Sequence, residues 1–139
     1  NTIIVQWDTL AHPVKTFDMI RSRNANVGLG LSPDDDIGEI IPFIQHLDLL
    51  LILGVYPGFG GQAMQPGTID KTRAARAIAN DLRTSLAIAV DGGVNPENAA
   101  FLAEAGADCL IIGTALFQSP NMKQMIKKIK ESVATSPRR

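Results

Sequence analysis

The chain has 139 residues, 45% of them apolar, with 13 Lys+Arg against 14 Asp+Glu and a formal net charge of −1. That length suits one domain with a sizeable core, and the balanced charge argues against nucleic acid, whose binders concentrate basic residues to displace counterions. No apolar run approaches the ~20 residues of a membrane-spanning helix, and a lone cysteine, Cys109, excludes an internal disulfide or a multi-cysteine zinc site.

The first apolar run, Thr2–Trp7, predicts a strand. Pro13–Arg23 follows as a helix, with proline at a tolerated first-turn position and Val14, Phe17, Met19 and Ile20 mostly along one stripe. Asn26–Leu31 is the second strand. The segment Asp34–Gln45, entered through Ser32-Pro33-Asp34, predicts a helix that sets Ile37, Ile40, Ile41 and Ile44 on one side. Leu47–Gly54 is the third strand, and Thr68–Leu82, rich in Ala, Arg and Lys, the next helix. Leu86–Val90 is a strand. Pro96–Ala105 reads as a helix with Asn95 as its N-cap and Gly106 closing it. Cys109–Gly113 is the last strand, Asn121–Val133 the last helix. Residues 135–139 are expected to be a flexible tail behind a single domain over 1–134.

Strand and helix thus alternate five times, which implies parallel crossovers and an α/β fold. The strands are continuous aliphatic runs without in–out alternation, as suits a sheet covered on both faces. A small doubly wound, flavodoxin-like sheet and part of a (β/α)8 barrel both satisfy that periodicity.

Three segments carry chemistry. Gly54-Val55-Tyr56-Pro57-Gly58-Phe59-Gly60-Gly61-Gln62 directly follows the third strand. Its glycines allow positive φ and bring N–H groups close to an anion. Only Lys71 and Arg73 lie shortly downstream, so main-chain donors would do most of the holding. No Gly-Lys-Ser/Thr follows, which excludes a Walker loop. Val90-Asp91-Gly92-Gly93-Val94-Asn95-Pro96 ends the fourth strand. A carboxylate at a strand's C-terminal end sits where α/β proteins keep active sites; a turn aspartate capping local amides is the plainer alternative. Ile112-Gly113-Thr114-Ala115-Leu116-Phe117 follows the last strand and offers an amide and a hydroxyl. Glycine-bearing loops on the final pair of strands match the usual phosphate grip of barrel enzymes.

Val55–Gln62, Val90–Val94, Ala105-Gly106-Ala107-Asp108 and Gly113-Thr114-Ala115 together closely resemble the ribulose-phosphate 3-epimerase family. Their order and spacing match that family's strands 6, 7 and 8. The resemblance implies a parallel (β/α)8 TIM-barrel type fold, present here as an incomplete barrel of about five βα units. It implies inversion at C3 of ribulose 5-phosphate to give xylulose 5-phosphate, with two aspartates as acid and base around a divalent metal, usually zinc. Asp91 matches the strand-7 aspartate, at once a metal ligand and the catalytic acid/base on one face. Gly58, Phe59, Gly60, Gly61, Gly92, Gly93, Gly113 and Thr114 match the substrate and phosphate cradle. An allulose 6-phosphate epimerase would share these loops.

The chain also departs from that pattern. The family's first three strands, which bring a serine, two histidines and the partner aspartate, have no counterpart. Gln6-Trp7-Asp8 stands where the family commonly shows His-x-Glu, and Tyr56 replaces the usual Asn, Asp or Glu. Neither His12, beside Pro13, nor His46, at a helix end, fills the vacancy. Asp91 alone is too few ligands for a tight zinc site. Without strands 1 to 3 the sheet edges would be open, and inward-facing Val5, Leu29, Ile52, Ile88 and Ile111 would lose partners. Opening at Asn1, inside a strand, makes a piece of a longer chain the expectation. A non-catalytic phosphate-binding or assembly remnant is the rival reading, and a homo-oligomer is one way to cover the open sheet. With no leader-like segment and one cysteine, a cytoplasmic setting is expected, with a phosphorylated ketose as partner and neither membrane nor nucleic acid.

The remaining features read as structural. Asp34-Asp35-Asp36 complements a helix start, Trp7 and Phe59 are packing residues, and Cys109 opens a buried strand as an inert thiol. Met122, Met125, Ile126 and Ile129 form a stripe facing the sheet, opposite the solvated Lys123, Lys127, Lys128 and Lys130.

Overall fold

The computed structural model describes residues 1–58 and 60–136; Phe59 and the last three residues of the expected tail lie outside them. Strands β1 (Thr2–Gln6), β2 (Asn26–Leu31), β3 (Leu49–Leu53), β4 (Ala87–Asp91) and β5 (Cys109–Ile111) form one parallel sheet in the order β1-β2-β3-β4-β5. That order separates the two candidate architectures. A doubly wound sheet reverses direction at a switch point, whereas strands added always on the same side curl toward a barrel. The chain is an incomplete α/β barrel.

Helices α1 (Pro13–Arg21), α2 (Thr68–Asp81), α3 (Ala99–Glu104) and α5 (Met122–Ala134) fall close to their expected places, and a further single turn, α4 (Thr114–Phe117), follows β5 where no helix is expected. The predicted helix over Asp34–Gln45 is instead a 3-10 segment, Ile37–His46. Pro42 lacks the N–H that an α-helical turn would give to the Gly38 carbonyl, so the tighter winding takes over. The start of α3 also differs from prediction. Asn95 does cap, its Oδ1 accepting from the amides of Glu97 and Asn98, both at 3.0 Å, but the residues after it form a turn before the helix.

One face of the sheet holds the core. Val27, Leu29, Leu31, Leu50, Ile52, Ile88 and Val90 pack with Phe17 and Ile20 of α1, Ile40 and Ile44 of the 3-10 segment, Ala75 and Ala79 of α2, and Leu102 of α3. Each such large side chain contributes about 1.5–3 kcal/mol by burial. The other face carries Ile4, Gly28, Gly30, Leu49, Leu51, Ala87, Ala89, Cys109 and Ile111 in register, with Ile4 40% and Ile111 41% exposed. The expected inward set is therefore corrected. Leu29, Ile52 and Ile88 face the helices and Val5 packs against the same cluster, so only Ile111 of that set stands on the open face. Runs that are apolar at every position carry no parity signal, and a shift of one residue exchanges the faces.

Two further expectations change at the β5 edge. Cys109 is exposed, because nothing in the described chain covers its side of the strand. In α5 only Ile129 is buried, while Met122 is 44% and Ile126 40% exposed. This helix packs on α3 and α4, so its apolar stripe is wider than the surface it covers.

The N-terminal ends of the strands are sealed by a repeated device. Asp48, just before β3, accepts from the Val27 amide at 2.7 Å and pairs with Arg21 at 3.2 Å. Asp108, just before β5, accepts from the Ile88 amide at 2.8 Å and pairs with Arg76 of α2. The opposite rim has no such seal and is where the glycine turns lie. Among the described residues no helix is long and apolar enough to cross a membrane.

Candidate active site

The turns after β3, β4 and β5 meet around a cleft of about 730 Å3. It is lined by Gly58, Gly60 and Gly61 of the first turn, Asp91, Gly92 and Gly93 of the second, and Gly113 and Thr114 of the third. Every described member of the expected set is thus brought together; Phe59 lies outside the described residues. Asp91 ends β4 in register with Leu53 and Ile111, so its side chain shares the open face with theirs. Its main-chain carbonyl accepts from the Gly54 amide at 2.7 Å. Among the described residues, no hydrogen bond or ion pair engages its carboxylate, which leaves that group available to a ligand.

The first two turns interlock through their backbones. A Cβ on Gly93, which holds φ +71°, would fall 2.5 Å from the Met64 nitrogen, and one on Gly92, at φ +98°, 2.6 Å from Val55 Cγ2. These two glycines are required by close approach as well as by φ. Asn98 of the following turn donates from Nδ2 to the Gly93 carbonyl at 2.9 Å and so fixes the turn from below. Sequence reading missed that role, although the Asn95/Asn98 spacing was its visible signal. Gly113 differs, since a Cβ there would meet open space. Thr114 opens α4, and its hydroxyl lies 3.7 Å from where a Gly60 Cβ would be, so the first and third turns face each other closely.

The nearby cations do not enter the cleft. Lys71 Nζ donates to the carbonyls of Ser32 at 3.0 Å, Pro33 at 2.8 Å and Asp35 at 2.7 Å, while Arg73 pairs with Asp70 at 2.6 Å. Partial burial lowers the Lys71 pKa from its usual value, and the charges of Asp35, Asp34 and Asp36 oppose that. Besides the glycines, Thr114 brings a hydroxyl to the cleft lining. His12 and His46 are exposed, and neither lines the cleft. Gln6 lies over Gly30 on the open face, with Oε1 buried and without a hydrogen-bond partner among the described residues.

The acidic run divides its roles. Asp36 caps the 3-10 segment through the Gly38 amide, and Asp35 accepts from the Ser32 amide. Asp34 instead accepts from the Tyr56 hydroxyl at 2.8 Å. That hydrogen bond, followed by slight burial and the Asp34 charge, raises the Tyr56 pKa above the ordinary tyrosine value. Tyr56 is the only tyrosine, so absorbance at high pH reads it alone. Its ionisation is expected above pH ~10 in the folded chain and lower in Asp34→Ala. The stability it lends is present below the unfolded value and lost as pH rises through the folded one. An unaltered titration in the variant would remove the contact.

A parallel α/β barrel face with three glycine-bearing turns and a carboxylate gathered at its C-terminal rim defines the class: a barrel protein of the α/β type. Residues 1–117 match the model of the "Ribulose-phosphate 3 epimerase family", and the chain belongs to that family. It is 32% identical over 123 residues to the ribulose-phosphate 3-epimerase of Escherichia coli (strain K12), covering 88% of this chain and 55% of that one. It is 38% identical over 125 residues to ribulose-phosphate 3-epimerase 1 of Cupriavidus necator, covering 87% and 52%. The chain therefore spans about half the length of the curated relatives it matches. Among solved structures, 3-hexulose-6-phosphate synthase from Salmonella typhimurium superposes with a TM-score of 0.63 at 18% identity, over 98% of this chain and 63% of that one. That likeness is one of fold.

Proposed function

We propose that this chain supplies the phosphate grip and one acid/base carboxylate of a ribulose-phosphate 3-epimerase. The observation that carries the reading is the convergence of three glycine-bearing turns and Asp91 on one rim. The amides of the turns around Gly58–Gly61, Gly92–Gly93 and Gly113–Thr114 would hold the ester of ribulose 5-phosphate. Asp91 would then take or return the proton at C3, beside the carbonyl. Main-chain dipoles are suited to the grip because they hold a dianion without a mobile cation.

Inversion needs an acid and a base on opposite faces of the substrate, and these residues offer one carboxylate at the cleft. No group of three His, Cys, Asp or Glu able to hold a metal exists among the described residues. The chain's own residues therefore do not fit a tight divalent site, which needs three or four ligands. We accordingly propose that the 139 residues alone bind phosphate without turnover, the partner acid and any metal ligands coming from outside them. A cytoplasmic setting and an acyclic ketose phosphate as substrate belong to the same proposal.

The test is calorimetric titration with inorganic phosphate. Gly113→Ala is expected to weaken binding by about tenfold, because its methyl enters open space beside the cleft, while leaving stability within about 0.5 kcal/mol. Binding that ignores this change would exclude the third turn from the grip, and a parent chain that does not bind would remove the reading.

A further inference from the structure

The glycine turn that opens the grip, residues 54–62, is not held in place by its own glycines. Gly58 and Gly61 have φ of +133° and +78° with open space around them, so packing does not select that conformation. Besides the backbone bonds of Gly54, side-chain contacts tie the turn. Within it, Gln62 Nε2 donates to the Tyr56 carbonyl at 2.8 Å and closes the loop on itself. From outside, the Tyr56 phenol spans to the 32–36 turn and donates to Asp34 Oδ1 at 2.8 Å.

The 32–36 turn is itself rigid, since three of its carbonyls converge on Lys71 Nζ. Asp35 Oδ2 also accepts from the Ser32 amide at 2.7 Å and closes the turn. A continuous run of contacts therefore leads from α2, through Lys71 and the acidic turn, to Asp34, Tyr56 and the glycine loop. Tyr56 lies both in that run and in the cleft wall, and it also borders the smaller cavity of about 180 Å3 beside Lys71.

We propose that Tyr56 and Asp34 form a latch that positions the amides of Gly58, Gly60 and Gly61 for the phosphate ester. This rests on the phosphate reading above and adds to it a pair of residues that touch neither phosphate nor the reacting carbon. The physical gain is preorganisation. A glycine loop free to sample many conformations must lose that freedom on binding, and a loop already tied down loses less. The hydrogen bond has a charged acceptor, which makes it stronger than a neutral one. It is also partly exposed, with Tyr56 41% accessible, so its effect is moderate.

The experiment is a double-mutant cycle on the full chain, read by calorimetric titration with inorganic phosphate. Tyr56→Phe and Asp34→Ala should each weaken phosphate binding about three- to tenfold. The double variant should be no weaker than either single one, because the two remove the same contact. Asp34→Asn keeps an oxygen that can accept from the phenol and should bind within about twofold of the parent. That rescue separates a latch from general loss of structure, and thermal unfolding of each variant checks the fold.

Tyr56→Phe binding phosphate as the parent does would overturn the proposal. So would losses that multiply in the double variant, which would mean two independent residues. A parent chain that binds no phosphate would instead bring down the underlying reading, and the latch with it. The two failures are told apart by the parent titration.

Discussion

Asp91→Asn is expected to slow exchange of the C3 proton of ribulose 5-phosphate by about 10²- to 10⁴-fold once the chain is joined behind the missing barrel units of a relative. The Escherichia coli epimerase, 32% identical over 123 residues, is a suitable donor of those units. The size follows from removing a positioned acid/base, worth roughly 3–5 kcal/mol of barrier. The fold should barely notice. No hydrogen bond or ion pair holds the Asp91 carboxylate among the described residues, and its carbonyl bond to the Gly54 amide survives in asparagine. Exchange would be followed by proton NMR in deuterium oxide, and stability by denaturant unfolding. A variant within threefold of the parent chimaera would remove Asp91 from the proton transfer.

Gly93→Ala is expected to destabilise the chain by about 2–4 kcal/mol, the sum of a left-handed alanine and an overpacked contact. The methyl would press on the Met64 nitrogen at 2.5 Å and its Cα at 2.8 Å. Both are backbone atoms, so no side-chain rotation relieves them. Gly61→Ala is the control. It shares a positive φ, +78°, but meets nothing within 4 Å, so it should cost only about 1 kcal/mol. Urea denaturation of both variants distinguishes a packing requirement from a conformational one. Equal losses would show that the close approach between the first two turns does not matter.

These two residues also show what a linear reading can reach. The Asp91-Gly92-Gly93 run was recognisable because a carboxylate and two glycines interrupt an aliphatic strand at its end, whereas repeated β-α alternation reached the α/β class and left the strand order open between two architectures. The gathering of three turns at one rim was legible from the glycine placements and the family resemblance. What could not be read was which side of each strand faces the helices. Leu29, Ile52 and Ile88 sit in unbroken apolar runs, where one parity looks like the other. The 3-10 winding around Pro42 was masked by isoleucines at spacings that satisfy both helix types. Asp34 was hidden among three adjacent acids, and only the fold reveals that one of them reaches Tyr56, 22 positions away. Cys109 and the α5 stripe were misjudged for a shared reason. Burial of an apolar residue depends on whether a neighbour exists, and a sequence does not say where the sheet stops.

In this sheet each strand is hydrogen-bonded only to the strands that precede and follow it along the polypeptide. Such a design makes a barrel divisible: a block of consecutive units can be copied, exchanged or joined to another block without rethreading the chain. Here the three glycine-bearing turns and Asp91 travel together in such a block. Recombination with different front halves would therefore keep one rim of the cleft intact while changing the wall that faces it.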